Sequence, residues 1–283
     1  MNGKTVVITG ATSGIGEAAA LALAAKGARI VFVARDAAKA RALQDRLTRA
    51  NPDAAHDHVL GELSTLAGMR AAGEALAAKA PRIDVLVNNA GAVFDHRQVT
   101  ADGLEMTFAV NHMAYFVITE ILRPYLDGAG ARIVSTASGA HIMGKVNFDD
   151  LQLAQKYSAM GAYGTSKLLN ILWTRELARR LAGTGVTANC FHPGGVNTGF
   201  GSNNKGWLQA VFNLISPFML TPEKGADTLV WLASAPEVEG QTGGYWVKRK
   251  LTQPSAAGRD DAAAARLWAE SERIAGMAEA VAA

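Results

Sequence analysis

A tyrosine and a lysine four positions apart, Tyr163 and Lys167, carry the strongest chemical signal in this chain of 283 residues. They stand in Tyr163-Gly164-Thr165-Ser166-Lys167, and an apolar, helix-patterned run follows (Leu168, Leu169, Ile171, Leu172, Trp173). Positions i and i+4 share a helix face, so a phenol and an ammonium project into one space. A free tyrosine, with a pKa of about 10, is a poor acid-base catalyst near neutrality. A fixed cation beside it favours the phenolate and moves it toward the working range. A drop of about three units needs about 4 kcal/mol of differential stabilisation. One lysine in water does not supply that; a lysine joined by a second positive charge in a dry cleft could. The same spacing also arises by chance, as an amphipathic tyrosine and a solvated lysine, so the surrounding elements decide.

The elements that would position the pair alternate along the chain. Lys4 to Thr9 is short and β-branched, the composition of a buried strand. It runs into Thr9-Gly10-Ala11-Thr12-Ser13-Gly14-Ile15-Gly16 and then an Ala- and Leu-rich helix, Glu17 to Lys26, closed by Gly27. Glycines let a chain turn tightly and approach a ligand, and the helix start beyond offers free amides and a positive dipole end to a diphosphate. A tight connection that binds nothing is the plainer alternative; three glycines so spaced after the first strand favour a dinucleotide site. Further strands are predicted at 28–33, 57–60, 83–87, 131–135, 185–190 and 243–247, and helices at 36–50, 65–80, 108–126, 162–181 and 259–276. The pattern predicts an α/β fold: a single domain over 1–283 with a doubly wound, Rossmann-like parallel sheet and helices on both faces. Ligands of such sheets bind outside the carboxyl ends of the strands, where these motifs fall.

Composition narrows the classes. A hydrophobic content of 49% suits a sizeable core, and a net charge of +3 without a basic block does not imply a nucleic-acid partner. A single cysteine, Cys190, excludes an internal disulfide and a multi-cysteine metal site, and its apolar setting reads as a buried small hydrophobe. The histidines show no close ligand spacing; His56-x-His58 reads as structural, and no metal is expected. With no 18-residue apolar run and no charged leader before the first strand, the expectation is a cytoplasmic protein without a membrane span.

Taken together, the motifs resemble those of the short-chain dehydrogenase/reductase family over nearly the whole length. Thr9-Gly10-x-x-x-Gly14-Ile15-Gly16 matches its cofactor turn, and Asn88-Asn89-Ala90-Gly91 its segment after the fourth strand. Asn111, Ser138, Tyr163 and Lys167 match its catalytic positions, and Pro193-Gly194 with Thr198 its loop after the sixth strand. Val110-Asn111-His112, Ser138-Gly139-Ala140-His141 and the tail around Trp268 look closest to the retinol-dehydrogenase-like and WW-domain-oxidoreductase-like branch. The N-terminal apolar span of the membrane-anchored relatives is absent from this sequence, as is a WW module.

The resemblance implies an oxidoreductase that moves hydride between a nicotinamide cofactor and a carbonyl or alcohol. Tyr163 would be the acid-base residue, with Lys167 lowering its pKa and holding the ribose. Ser138 would steady the substrate oxygen, and Asn111 would hold a water near Lys167. Cofactor contacts are expected from Gly10, Thr12, Ser13, Gly14, Ile15, Gly16, Arg35, Glu62, Leu63, Asn89, Ala90, Gly91, Tyr163, Lys167, Pro193, Gly194, Val196 and Thr198. Ala34 and Arg35 stand where an acid would select NAD(H), so NADP(H) is favoured, with Asp36 opening the helix and pointing away. His112, His141 and His192 are read as packing or substrate-lining residues. The variable stretch at about 199–221, apolar from Trp207 to Leu220, is read as a substrate lid for a hydrophobic aldehyde, ketone or alcohol. The family often forms homodimers or homotetramers, with a monomer also compatible. The alternative is a non-catalytic NADP(H)-sensing protein of the same fold.

Overall fold

A computed structural model describes residues 1–128, 130–196 and 219–277. Thr198 and most of the expected lid, up to residue 218, lie outside them. Seven parallel strands run in the order β3-β2-β1-β4-β5-β6-β7, and an eighth closes the sheet antiparallel to β7. They are β1 Thr5–Thr9, β2 Arg29–Ala34, β3 Asp57–Leu60, β4 Val85–Asn88, β5 Arg132–Thr136, β6 Thr187–His192, β7 Tyr245–Val247 and β8 Lys250–Thr252.

Alternation along the strands explains the two faces. In β1, Val6 and Ile8 point into one core while Val7 points into the other. The Val6 side packs under α1 (Gly14–Ala25), α2 (Ala37–Ala50) and α7 (Pro222–Ser234), through Leu23, Leu43 and Leu229. The Val7 side packs under α3 (Leu66–Lys79), α5 (Ala114–Leu122), α6 (Ala159–Arg180) and α8 (Asp261–Ala275), through Leu76, Phe116, Trp173 and Trp268. A strand buried on both sides must be apolar along its whole length, which is why β1 reads as Val-Val-Ile rather than as a polar alternation. The expected doubly wound α/β architecture is present, and the strand order reverses between β1 and β4.

Three differences from the sequence expectation bear on the site. The first helix begins at Gly14, inside the glycine turn, rather than at Glu17. The helix expected over 108–126 is broken into α4 (Met106–Phe108), a π turn (Ala109–Met113), α5 and a 3-10 turn (Arg123–Tyr125). A π turn carries an extra residue per turn and locally re-aims side chains, and here it holds Asn111. The pattern also left out α7 and β8.

Candidate active site

A cleft of about 830 Å³ opens at the carboxyl ends of the strands across the reversal point. Gly10, Thr12, Ser13, Ile15, Arg35, Glu62, Leu63, Asn89, Ala90, Gly91, Ser138, Tyr163, Lys167, Pro193, Gly194 and Val196 line it. A smaller hollow of about 470 Å³ between α3 and α5, around Ala77, Ile121 and Tyr125, holds none of these groups.

The glycine turn is shaped by contacts a side chain would block. Gly10 and Gly14 take φ of 68° and 58°, where glycine is favoured. A Cβ on Gly16 would lie 2.1 Å from the Gly10 carbonyl oxygen and 2.5 Å from Asn89 Nδ2. The Thr9 hydroxyl accepts from the Asn89 and Ala90 N–H groups (3.0 and 3.1 Å), tying β1 to the loop after β4. Asn89 Nδ2 donates to the Gly10 carbonyl (3.0 Å) and its Oδ1 accepts from the Thr136 hydroxyl (3.1 Å). The Asn89 side chain is therefore spent on the wall of the cleft.

Helix α1 starts at this wall without a side-chain cap on its first amides. By contrast α2, α3, α6, α7 and α8 are capped by Asp36, Thr65, Ser158, Thr221 and Asp260. A bare helix start facing a cleft suits an anion, since its free N–H groups and dipole both favour negative charge. Arg35 lies exposed at the end of β2 on the cleft rim. Asp36 accepts from the Ala38 and Lys39 N–H groups (2.8 and 3.0 Å), and these bonds hold its carboxyl below the usual range. Glu62 Oε1 accepts from the Leu63 and Ser64 N–H groups (2.9 and 3.0 Å), folding the carboxylate onto its own loop. The glycine turn, the uncapped helix and Arg35 together fit a dinucleotide laid across the strand ends.

Tyr163 and Lys167 meet as the spacing predicts. Lys167 Nζ stands 5.6 Å from the centre of the Tyr163 ring and 5.7 Å from that of Tyr115, and donates to the Thr136 carbonyl at 3.0 Å. The lysine is only 2% exposed, and burial lowers its pKa from 10.5 to about 7. Tyr163 keeps part of its surface open to the cleft, yet burial raises its hydroxyl to about 12, opposed by a hydrogen bond with the Ser138 side chain. The lysine by itself does not bring the phenol down, in keeping with the need for a second positive charge. In the protein by itself both groups are desolvated, and desolvation favours the neutral form of each.

Ser138 follows β5 in extended backbone (φ −164°, ψ 155°) and opens the 3-10 turn Gly139–Met143, its Oγ accepting from the Ala140 N–H at 3.1 Å. Asn111 is fully buried in the π turn rather than on the cleft surface. Its Oδ1 accepts from the Ala92 N–H (2.8 Å) and its Nδ2 donates to the Ala92 carbonyl and Ser166 Oγ (2.9 and 3.0 Å). Ser166 in turn donates to the Tyr163 carbonyl (2.7 Å). The amide thus braces the loop after β4 against α6. The neighbouring His112, pushed down to about 4 by burial, bonds Ser271 Oγ through Nε2 at 2.9 Å, linking the π turn to α8.

The sequence reading missed Tyr115 and Thr136 as the partners of Lys167, and Phe94, Met106, Val110, Met160 and Met219 as apolar lining of the cleft. The His56-x-His58 pair is structural: His56 Nδ1 accepts from the Ile30 N–H (3.0 Å) and His58 Nδ1 pairs with Gln44 Oε1 (2.6 Å). Cys190 is buried, as expected.

Comparison with known proteins decides the lineage. The short chain dehydrogenase family model matches residues 4–209. The chain belongs to the short-chain dehydrogenase/reductase family. A Streptomyces sp. (strain C5) protein provisionally named a daunorubicin C-13 ketoreductase is 44% identical over 97% of this chain and 93% of its own. Retinol dehydrogenase 14 of Mus musculus is 41% identical over 98% of this chain and 87% of its own. A short-chain dehydrogenase from Burkholderia cenocepacia J2315, solved in complex with NADP, superposes with a TM-score of 0.69 at 26% identity, covering 87% of this chain and 96% of its own. This short-chain dehydrogenase is an oxidoreductase near the retinol-dehydrogenase-like branch. Among its described residues no helix is long and apolar enough to cross a membrane.

Proposed function

We propose that the chain is an NADP(H)-dependent reductase or dehydrogenase of hydrophobic aldehydes, ketones and alcohols, with Tyr163 as the acid-base residue. The observation that carries this reading is the convergence of three groups at one cleft: Ser138 and Tyr163 line it together, with Lys167 5.6 Å from the tyrosine ring. The bound nicotinamide would supply or accept the hydride, a task no side chain performs.

Each residue then has a physical task. Ser138 Oγ donates a hydrogen bond to the substrate oxygen and steadies the charge that develops on it. Tyr163 delivers its proton to that oxygen in reduction and takes one from the alcohol in oxidation. A phenol raised to about 12 is protonated at neutral pH, so the proton that reduction consumes is in place, but giving it up requires the phenolate to be stabilised. Oxidation needs the phenolate, hence a positive charge nearby that Lys167 at about 7 supplies only in part. Asn111 fixes α6 through Ser166 and so holds Tyr163 in place. Arg35 would meet the 2′-phosphate, since Asp36 is committed to its helix. The Met- and Phe-lined wall around Phe94, Met106, Met160 and Met219 suits an apolar, bulky substrate.

The test is NADPH oxidation against a panel of aldehydes, ketones and quinones, with Tyr163→Phe as control. Turnover of apolar carbonyls, reduced about 100-fold or more in the variant, is the expected result. NADPH binding with no turnover across the panel would instead indicate a cofactor-sensing protein, and faster turnover of small charged keto acids would refute the substrate class.

A further inference from the structure

The peptide that joins Ser138 to Gly139 is gripped on both edges by imidazoles. On one edge the Ser138 carbonyl is bonded by His141 Nδ1 at 2.8 Å. On the other the Gly139 N–H donates to His192 Nδ1 at 2.9 Å. The partners fix the tautomers. A backbone N–H only donates, so His192 Nδ1 is unprotonated and its proton sits on Nε2. The same nitrogen takes a longer bond from the Gly194 N–H (3.3 Å), on the loop after β6. His141 is the opposite tautomer: its Nε2 accepts from the Ser255 N–H (3.1 Å), so Nδ1 carries the proton given to the Ser138 carbonyl. Two neutral rings, one from the 3-10 turn and one from the end of β6, thus hold a single peptide plane.

We propose that His192 is a positioning residue: with His141 it fixes the Ser138–Gly139 peptide and so aims Ser138 Oγ at the substrate oxygen. The proposal rests on the role given to Ser138 above. Fixing that peptide fixes the start of the 3-10 turn, and with it the Ala140 N–H from which Ser138 Oγ accepts at 3.1 Å. Because His192 also bonds Gly194, the same ring joins the serine turn to the loop expected to hold the cofactor. A histidine, rather than an amide, makes this grip sensitive to protons. A proton on Nδ1 turns an acceptor into a donor facing two donors, and the grip opens.

The surroundings hold that proton off. Burial and the neighbouring His141 both keep His192 below the ordinary imidazole value. The titratable groups around it are His141 from the 3-10 turn and Tyr163 and Lys167 from α6 on the same cleft. Its register partner on β7 is the uncharged Val247. Glu62, a carboxylate on the cleft wall, follows β3, the strand at the opposite edge of the parallel set from β6 and β7.

The test is kcat and KM from about pH 5 to 8 for wild type, His192→Asn, His192→Gln and His192→Leu, the last also combined with Ser138→Ala. Asparagine places an amide oxygen where Nδ1 stands; glutamine carries it one bond further out, and leucine has none. His192→Asn is expected to keep most of kcat, while Gln and Leu lose about 10- to 100-fold with less change in KM for NADPH. The wild-type acid limb, set by His192, is absent in His192→Asn. In the Ser138→Ala background His192→Leu has no further effect. Wild-type kcat in the Gln and Leu variants, or an unchanged acid limb in His192→Asn, would overturn the grip. Full speed in Ser138→Ala alone would instead overturn the role of the serine. Should His192→Leu fail to fold, the Asn and Gln pair and the acid limb decide.

Discussion

Lys167→Met should abolish turnover and yet make the protein by itself more stable at neutral pH. Burial lowers the ammonium from 10.5 to about 7, a fall of about 3.5 units. At about 1.4 kcal/mol per unit, the folded state disfavours the charged lysine by about 5 kcal/mol. At pH 7 the unfolded chain holds that proton fully and the folded chain only half the time, so folding carries about 4 kcal/mol of this cost. Raising the pH relieves it, because the unfolded state binds more protons everywhere between the two values. Integrating the linkage relation from pH 7 to 9 gives wild type a gain of about 2 kcal/mol from this one group. Methionine has nearly the same length and no charge, and the Thr136 carbonyl keeps a longer bond from Asn170 Nδ2 (3.4 Å). Urea denaturation of both proteins at pH 7 and pH 9, without cofactor, reads the difference. The expected result is a wild-type midpoint that rises with pH and a Lys167→Met midpoint that is higher at pH 7 and nearly flat. Parallel pH dependence in the two proteins would refute the claim that this lysine is held desolvated.

Three further outcomes follow from the cleft. Arg35→Ala should raise the KM for NADPH about tenfold or more while leaving that for NADH little changed, as expected when one charged contact is lost; equal small effects on both would count against a 2′-phosphate site. Asp36→Ala should cost about 1 kcal/mol of stability, the usual worth of a helix cap, without altering the ratio of NADPH to NADH rates; a changed ratio would show that this carboxylate reaches the ribose. Gly16→Ala should destabilise by about 2 kcal/mol or more and weaken NADPH binding, because its methyl would enter space held by the Gly10 carbonyl and the Asn89 amide; an unchanged melting temperature would mean the turn relaxes freely.

The sheet was legible because its strands are short, β-branched and separated by helices of clear composition. The two faces followed from buried parallel pairing, and the meeting of Tyr163 with Lys167 from helical periodicity alone. The π turn left no such trace. Nearly every residue from Thr107 to Thr119 is buried, so no apolar stripe exists whose phase could reveal an extra residue. Strand β8 is three exposed residues with no alternation to read. Helix α7 did carry start signals, Thr221 as cap and Pro222 in the first turn, but they sit beside the apolar stretch that drew the lid assignment. Tyr115 reaches Lys167 from a different helix, a proximity set by packing of α5 against α6 rather than by spacing. The extent to which both groups are desolvated was not legible, since a sequence gives the charge of a neighbour but not the water it excludes.

The bond from His112 to Ser271 gives the last helix a stake in turnover, although the family match ends at residue 209. Anything that frays α8 would slacken the π turn, then the asparagine brace, then the tyrosine. Limited digestion near the carboxyl terminus, or a bulky fusion tag there, should therefore slow the enzyme before it unfolds.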